Sequence, residues 1–449
     1  MMKTPVCDFV EDYQKQNITR LHMPGHKGVG KADPVERDIT EISGADVLYR
    51  ESGILAESQR NATTLFGTEK TLYSTEGSTL AIRAMLTLAV KYAALVGKKP
   101  VIAAGRNAHK AFLTSCALLD LSPVWLYPES SSSLLSCKID PKELTAFFEG
   151  ASPMPTALYL TSPDYLGNVC DIEGIASVCK THGVLLLVDN AHGAYLQFLP
   201  ESIHPIALGA DLCCDSAHKT LPVLTGGAYL HVSKNAPKHL ALWAEEAISL
   251  YSSTSPSYLI LQSLDRCNPY LNDVFQKELI AFIEKTEGLK KSIRRLGFPL
   301  TGDEPLKITL MPKAAGYTGE ELATLLREHG MECEFADPDY TVLMLSPIAG
   351  ERVLNQLHNF FERLPLKEPI LRFPPQIPRG TKSITPREAM LAPSETVPIS
   401  LAKGRILAEA GVNCPPAVPI AVCGEILDDA ATKAFKYYGI QSVRVVIET

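Results

Sequence analysis

The stretch Asp211-Leu-Cys-Cys-Asp-Ser-Ala-His-Lys-Thr-Leu-Pro-Val-Leu-Thr-Gly-Gly227 decides how this chain is read. Its apolar run delivers Ser216, His218 and Lys219 to a strand end, and a glycine pair follows before the next strand, Ala228-Tyr-Leu-His-Val232. A lysine sheltered at such a strand end is suited to form an imine with an aldehyde cofactor. It must spend part of its cycle as a free amine, so its site has to depress its pKa. The same string also fits a surface lysine beside a helix start, and the surrounding chain has to separate the two readings.

Outward from this stretch, residues 75–232 alternate between helices and apolar strands. Ser78 to Val96 reads as a helix bounded by Gly77 and Gly97, and Pro100 to Ala104 as a strand. A helix through Ala111–Leu119 and a strand at Pro123–Tyr127 follow. Asp140 then caps a helix that has Pro141 at its first position. Thr156–Thr161 is a strand, Ile172–His182 a helix, and Val184–Val188 the most apolar strand of all. Continuous apolar strands separated by helices predict an α/β fold, a mostly parallel sheet covered by helices on both faces. Ligands of such sheets sit beyond the carboxyl ends of the strands.

Around this core we expect an N-terminal segment over 1–60, a large domain over 61–297 and a small α/β region over 298–364. A Pro-rich linker over 365–386 and a C-terminal domain over 387–449 complete the chain. The 449 residues are 46% hydrophobic and 21% charged, which is ordinary for a globular enzyme. A net charge of −7, with no basic block interleaved with aromatics, argues against a nucleic-acid surface. The eleven cysteines read as core filler, as at Cys170, Cys179, Cys213 and Cys214, and their spacing does not suit zinc. The first residues lack the apolar region of a leader, and no run approaches membrane-spanning length, so a cytoplasmic protein with reduced thiols is expected.

Four further motifs fall at strand ends or helix starts. Thr75-Glu-Gly-Ser-Thr-Leu-Ala81 opens the long helix, where amides at Gly77 and the Ser78 and Thr79 hydroxyls form a phosphate cup, or where a serine simply caps. Val188-Asp-Asn-Ala-His-Gly-Ala194 puts Asp189 at the mouth of a buried strand. There it suits a protonated pyridine nitrogen, or a local turn role. In Arg106-Asn-Ala-His-Lys110, His109 either lies flat on an aromatic cofactor ring or packs at a helix start. Thr161-Ser-Pro-Asp-Tyr-Leu-Gly167 is either a substrate-facing loop carrying Asp164 or a Pro/Gly turn. Taken together, a phosphate cup, a strand-end aspartate and a later lysine fit a pyridoxal-phosphate pocket in chain order.

These motifs resemble the Orn/Lys/Arg decarboxylase family, bacterial fold-type-I pyridoxal-phosphate enzymes, in their short form. Ser216, His218 and Lys219 match the family's Ser-x-His-Lys attachment motif. The stretches His22–Gly28, Ile42–Val47, Phe66-Gly67, Gly77–Thr79, Thr254–Tyr258 and Pro415–Pro419 are similar to the family as well, so the likeness spans nearly the whole chain. It implies a smaller C-terminal α/β domain, and it implies that the receiver-like N-terminal domain of longer members is absent.

The resemblance also implies roles. Lys219 carries pyridoxal 5'-phosphate as an imine, and Gly77, Ser78 and Thr79 hold the phosphate with Ser216 and His218 nearby. Asp189 pairs with the pyridinium, His109 stacks on the ring and His192 lies close to the cofactor. The implied reaction is decarboxylation of a basic amino acid, with Lys219 or a nearby histidine returning the proton. Arginine ranks ahead of lysine and ornithine as substrate, and the setting is amino-acid metabolism and polyamine biosynthesis. Glu425, in a stretch resembling the family's Pro-Gly-Glu element, is the first candidate for the substrate's basic end, with Asp164 and Asp46 behind it. A homodimer or higher homo-oligomer is implied, with Thr254–Tyr258 reaching the neighbouring site.

Four positions depart from the family. Asn190 stands where glutamate is frequent, Asp164 where threonine is usual, and Cys414 and Ala417 where tyrosine and glycine are usual. Two rival readings are an aminotransferase or other lyase on the same fold, for which Arg352 or Arg405 would grip the α-carboxylate, and a catalytically weak cofactor-binding member.

Overall fold

Strands form where runs of Leu, Val, Ala, Cys and Tyr are cut off by Gly, Pro or polar residues. Among the described residues seven of them lie between positions 70 and 232: β1 (Lys70–Ser74), β2 (Ile102–Gly105), β3 (Val124–Leu126), β4 (Ala157–Thr161), β5 (Leu185–Asp189), β6 (Leu212–Asp215) and β7 (Ala228–Val232). The computed structural model describes residues 2–29, 34–50, 52–127, 133–410, 413–414 (backbone) and 418–447. Pro415, Pro416, Ala417 and the side chain of Cys414 therefore lie outside the described residues. The chain divides into two units, Met1–Lys99 with Ile172–Ile280 and Pro100–Asp171 with Ala281–Thr449.

In the first unit the strands run in the order β1-β7-β6-β5. Strands β5 and β6 are parallel, with Asp189 opposite Cys214, and every residue of both is buried. Strand β7 runs antiparallel to β6 and to β1. This reversal is the antiparallel part of a mostly parallel sheet, and its cause is the connection from β6. That connection holds one helical turn, Ala217–Thr220, and folds back so that Gly227 O accepts the His218 amide at 3.1 Å. No helix long enough for a parallel crossover is available there. Strand β1, which we did not anticipate, pairs only through β7.

The helix Gly77–Leu95 packs on β1, β6 and β7. Its buried residues run almost without a break from Leu80 to Ala89, so it is apolar on more than one face, as a core helix is. By length and composition it is the one helix among the described residues that could cross a membrane, contrary to the expectation that no run approaches that length. Its packing on the sheet accounts for that composition. The N-terminal helix Pro5–Lys15 is docked by a distant side chain, because Asp265 Oδ2 accepts the amides of Val6 and Cys7, each at 3.0 Å. A carboxylate at a helix N-terminus in a partly buried setting contributes about 1–2 kcal/mol.

In the second unit β4, β2 and β3 lie side by side and parallel, with Ala104 between Tyr159 and Trp125. A separate antiparallel sheet has the order β10-β11-β9-β8, from β8 (Leu300–Thr301), β9 (Lys307–Leu310), β10 (Phe335–Ala336) and β11 (Thr341–Met344). Phe335 and Val342 of this sheet share one core with Val397, Leu407, Phe435 and Val445. The Pro-rich stretch carries no regular secondary structure until Thr381–Lys382 pairs with Glu425–Ile426.

Candidate active site

The carboxyl ends of β5 and β6 and the start of the helix Gly77–Leu95 gather four of the expected groups within the first unit. Asp215 closes β6, and the single turn that follows presents Lys219, whose Nζ lies 3.1 Å from His192 Nε2. Ser216 Oγ donates to Ser78 Oγ at 2.8 Å, which ties the lysine turn to the helix start. Gly77 N–H donates to Gly226 O at 2.7 Å, a second tie between the same two segments. Gly226 has a φ of +97°, and a Cβ there would stand 2.8 Å from Thr75 O, so only glycine suits the position. His218 turns to the Gly227 carbonyl, 2.9 Å from its Nδ1.

No side chain caps the helix that begins at Gly77. The amides of Ser78 and Thr79 therefore stand at the positive end of a nineteen-residue helix, an arrangement that suits a phosphate, whereas the Gly77 amide expected to join them is already given to Gly226 O. Asp189, at the end of β5, is 2% exposed. Its Oδ1 accepts the Ala191 amide at 3.2 Å and the Cys214 thiol at 3.6 Å. The donor set fits a phosphorylated aromatic aldehyde with a protonatable ring nitrogen: amides for the phosphate, a carboxylate for the nitrogen and an amine for the aldehyde.

Beneath these groups lies a buried cluster that we did not anticipate. The Asp215 carboxylate accepts from Asn190 Nδ2 (2.7 Å), His204 Nε2 (3.0 Å) and His231 Nε2 (3.1 Å). Burial alone would raise its pKa, but the two imidazoles outweigh burial and hold it below the usual carboxylate range. Burial lowers the pKa of His231, with Asp215 opposing. One donor atom from each of His204, Asp215 and His231 lies within 4.8 Å of the others, a spacing that a metal ion also uses. The His204 tautomer favours hydrogen bonding instead. Its Nδ1 accepts the Ile206 amide at 3.3 Å, which leaves the proton on Nε2, facing the carboxylate. The signal for this cluster was a carboxylate closing an apolar strand, the same signal that singled out Asp189.

The remaining candidates are each engaged locally. In the second unit, His109 caps the helix Lys110–Leu119, its Nδ1 accepting the Ala111 amide at 3.0 Å. Asp164, 3% exposed, accepts from the amides of Leu166 and Asn168 and from Asn168 Nδ2, each at 2.9 Å. Burial raises its pKa, opposed by these bonds and by Lys307. Glu425 is buried and accepts the Val422 amide at 3.0 Å. Burial raises its pKa too, against the positive charge of Arg106. The Arg106 guanidinium donates to the Pro419 and Ile420 carbonyls at 2.8 and 2.9 Å. In the first unit Asp46 accepts the Leu55 amide at 3.0 Å at the start of the helix Gly53–Phe66, and Tyr258 donates to the Asp46 carbonyl. Ser257 caps the helix that begins at Tyr258.

Comparison with known proteins bears on this arrangement. An uncharacterised Bacillus subtilis protein, YaaO, is 29% identical over 450 residues, covering 94% of this chain and 92% of its own. An arginine decarboxylase of Halalkalibacterium halodurans is 29% identical over 468 residues, covering 95% and 92%. The solved lysine decarboxylase A from Pseudomonas aeruginosa superposes with a TM-score of 0.79 at 18% identity, over 99% of this chain and 80% of its own, and so shares the α/β fold. Residues 4–309 match the model of the Orn/Lys/Arg decarboxylase major domain, a span that holds Ser216, His218 and Lys219 together with the helix start and Asp189, and the chain belongs to that family.

Proposed function

We propose that this protein decarboxylates a basic amino acid, arginine first among the candidates, to the amine and CO2 with pyridoxal 5'-phosphate as cofactor. The observation that carries the reading is the gathering of Lys219, His192, Ser216 and Ser78 at one end of the first unit's sheet, beside the buried Asp189. Bound there, the cofactor supplies an electron sink for the carbanion left at the substrate's α-carbon when CO2 departs.

The chain's own groups have distinct tasks. The amides of Ser78 and Thr79, with the Ser216 hydroxyl, hold the phosphate, and Gly77 sets the start of the helix that presents them. Asp189 would keep the ring nitrogen protonated, and His109 is carried over from the family resemblance as the residue that would cover the ring face. Lys219 Nζ is the covalent anchor. With His192 Nε2 at 3.1 Å, the lysine is placed to hold the proton that returns to the α-carbon. His218, pinned by its Nδ1 to the Gly227 carbonyl, buttresses the turn that carries Lys219. Glu425 is the first candidate for the substrate's cationic end. Asp164 and Asp46 stand behind it, and all three carboxylates already accept at least one backbone amide.

An aminotransferase would require an arginine for the α-carboxylate. Arg405 donates to Glu395 at 2.7 Å and to the Val446 carbonyl at 2.9 Å, and Arg352 sits on the exposed face of its helix, so neither supports that reading. The working form is a homodimer or higher homo-oligomer in the cytoplasm. Exposed Leu21, Met23 and Val29 supply apolar surface that a second copy would cover. The test is an assay of the purified, cofactor-loaded protein against arginine, lysine and ornithine, following amine and CO2. Release of CO2 with one of the three is expected, and keto-acid formation without CO2 would overturn the reading.

A further inference from the structure

Asn190 stands between two residues with assigned tasks, Asp189 and His192, and it is fully buried. Its backbone is held at both ends, its N–H donating to Cys214 O at 3.0 Å and its carbonyl accepting from Gly193 N–H at 2.8 Å. Its side-chain amide donates to Asp215 Oδ1 at 2.7 Å. The opposite orientation would turn the amide oxygen onto a carboxylate, so the donor sense is settled by the partner. The amide oxygen has no hydrogen-bond partner and lies where a Cβ on Gly193 would stand 2.0 Å away. The side chain thus fits only because residue 193 is glycine. Asp215 is itself immobilised by His204 and His231, and His231 Nδ1 in turn meets Thr71 Oγ1 at 2.9 Å on β1. Asp215 also directly precedes the turn that carries Ser216 and Lys219.

We propose that Asn190 and Asp215 form a positioning pair that pins the Asp189–His192 turn to the lysine-bearing strand end and thereby sets the His192–Lys219 contact. Neither residue touches reacting atoms in this scheme. Both act through His192, whose Nε2 must face the lysine amine, and through Asp189, whose carboxylate is aimed by the same turn. A carboxylate at position 190 would stand against that of Asp215 in a site closed to water, where two like charges cannot both persist. Asparagine at 190, where the family frequently has glutamate, is therefore matched to the aspartate at 215 in this chain. The inference rests on the reading of Lys219 as the cofactor lysine, and its test does not use turnover.

Two measurements on the cofactor-free full-length chain address it. The first follows the downfield Nε2–H resonances of His204 and His231. The second follows the reaction of Lys219 with acetaldehyde, trapped by borohydride and located by peptide mass, as a function of pH. In N190D the resonances shift, Lys219 trapping slows about tenfold, and its pH midpoint moves by about one unit. The double variant N190D/D215N restores one amide–carboxylate pair and recovers most of the trapping rate. An N190D protein that keeps the wild-type resonances and trapping profile overturns the pairing, and so does a double variant no faster than N190D. If N190D does not fold, N190A removes the donor without adding charge, and wild-type trapping by that folded variant overturns the pairing equally. Failure to trap Lys219 ahead of other lysines in the wild-type chain overturns the link to Lys219. A chain without decarboxylase activity fails only the assay with the three amino acids.

Discussion

At the strand ends of the first unit, side chains are held by partners far away in sequence: Ser216 by Ser78, Lys219 by His192, and Asp215 by Asn190, His204 and His231. Two of the second unit's buried carboxylates, Asp164 and Glu425, are instead held by amides from within four residues of themselves. Both arrangements satisfy buried polar atoms, but they answer to different parts of the chain. A carboxylate held by its own turn is set as soon as that turn forms, and it travels with the turn. A lysine amine held across a sheet is set only when the whole unit packs, so its geometry reports on residues that never approach the reaction. The difference separates groups aimed by local backbone from groups aimed by tertiary structure.

The largest expected effect tests the tertiary side. Lys219→Ala should lower turnover by on the order of 10³-fold or more and remove the visible absorbance of the lysine-bound cofactor. Retention of both by the variant would falsify the assignment. Next, Asp189→Asn removes the charge offered to the ring nitrogen. We expect a fall in kcat of about 10²-fold with little change in KM, measured on protein saturated with cofactor. A variant with wild-type kcat would remove Asp189 from the scheme.

Stability distinguishes the two kinds of anchoring directly. Asp215→Asn leaves His204 and His231 facing an amide in place of a carboxylate and should cost about 3 kcal/mol in denaturant unfolding. Asp164→Asn keeps an acceptor for its turn amides and should cost about 1 kcal/mol. The reverse ranking would undo the contrast drawn above. The pH dependence has opposite signs for Asp215 and Glu425. The folded-state pKa of Asp215 is depressed, so its stabilisation is present above the unfolded carboxylate pKa and is lost as pH falls through the folded value. Burial raises that of Glu425, so its contribution is full below the unfolded carboxylate pKa and is lost as pH rises through the raised folded value. Glu425→Gln should therefore gain stability relative to wild type towards neutral pH, seen in thermal melts across that range. The same variant should raise KM for the basic amino acid about tenfold, the smallest effect on catalysis in this set. An unchanged KM would take Glu425 away from the substrate's cationic end.

How much was legible in advance differs residue by residue. Lys219, Asp189 and the Gly77–Thr79 helix start could be read because each sits at a boundary that hydrophobic patterning marks. The helix Ile172–His182 and strand Ala228–Val232 appear where the pattern put them. Strand β1 and the reversed direction of β7 could not be read, since a strand's direction depends on how the preceding connection packs. Asp215 carried the same local signal as Asp189, but its meaning depends on His204 and His231, which reach it only through β7 and the loop after β5. Asp265 reads as an ordinary helical residue until the N-terminal helix lands on it.

The alternation of apolar strands with helices, the turn glycines and the Ser-Ala-His-Lys string were enough to determine the α/β class and the family, because periodicity and turn chemistry act over a few residues. Which buried polar groups distant in sequence satisfy one another was decided by tertiary structure alone. Desolvation makes each such group need a partner, and only packing brings Asn190, Asp215, His204 and His231 within reach of one another.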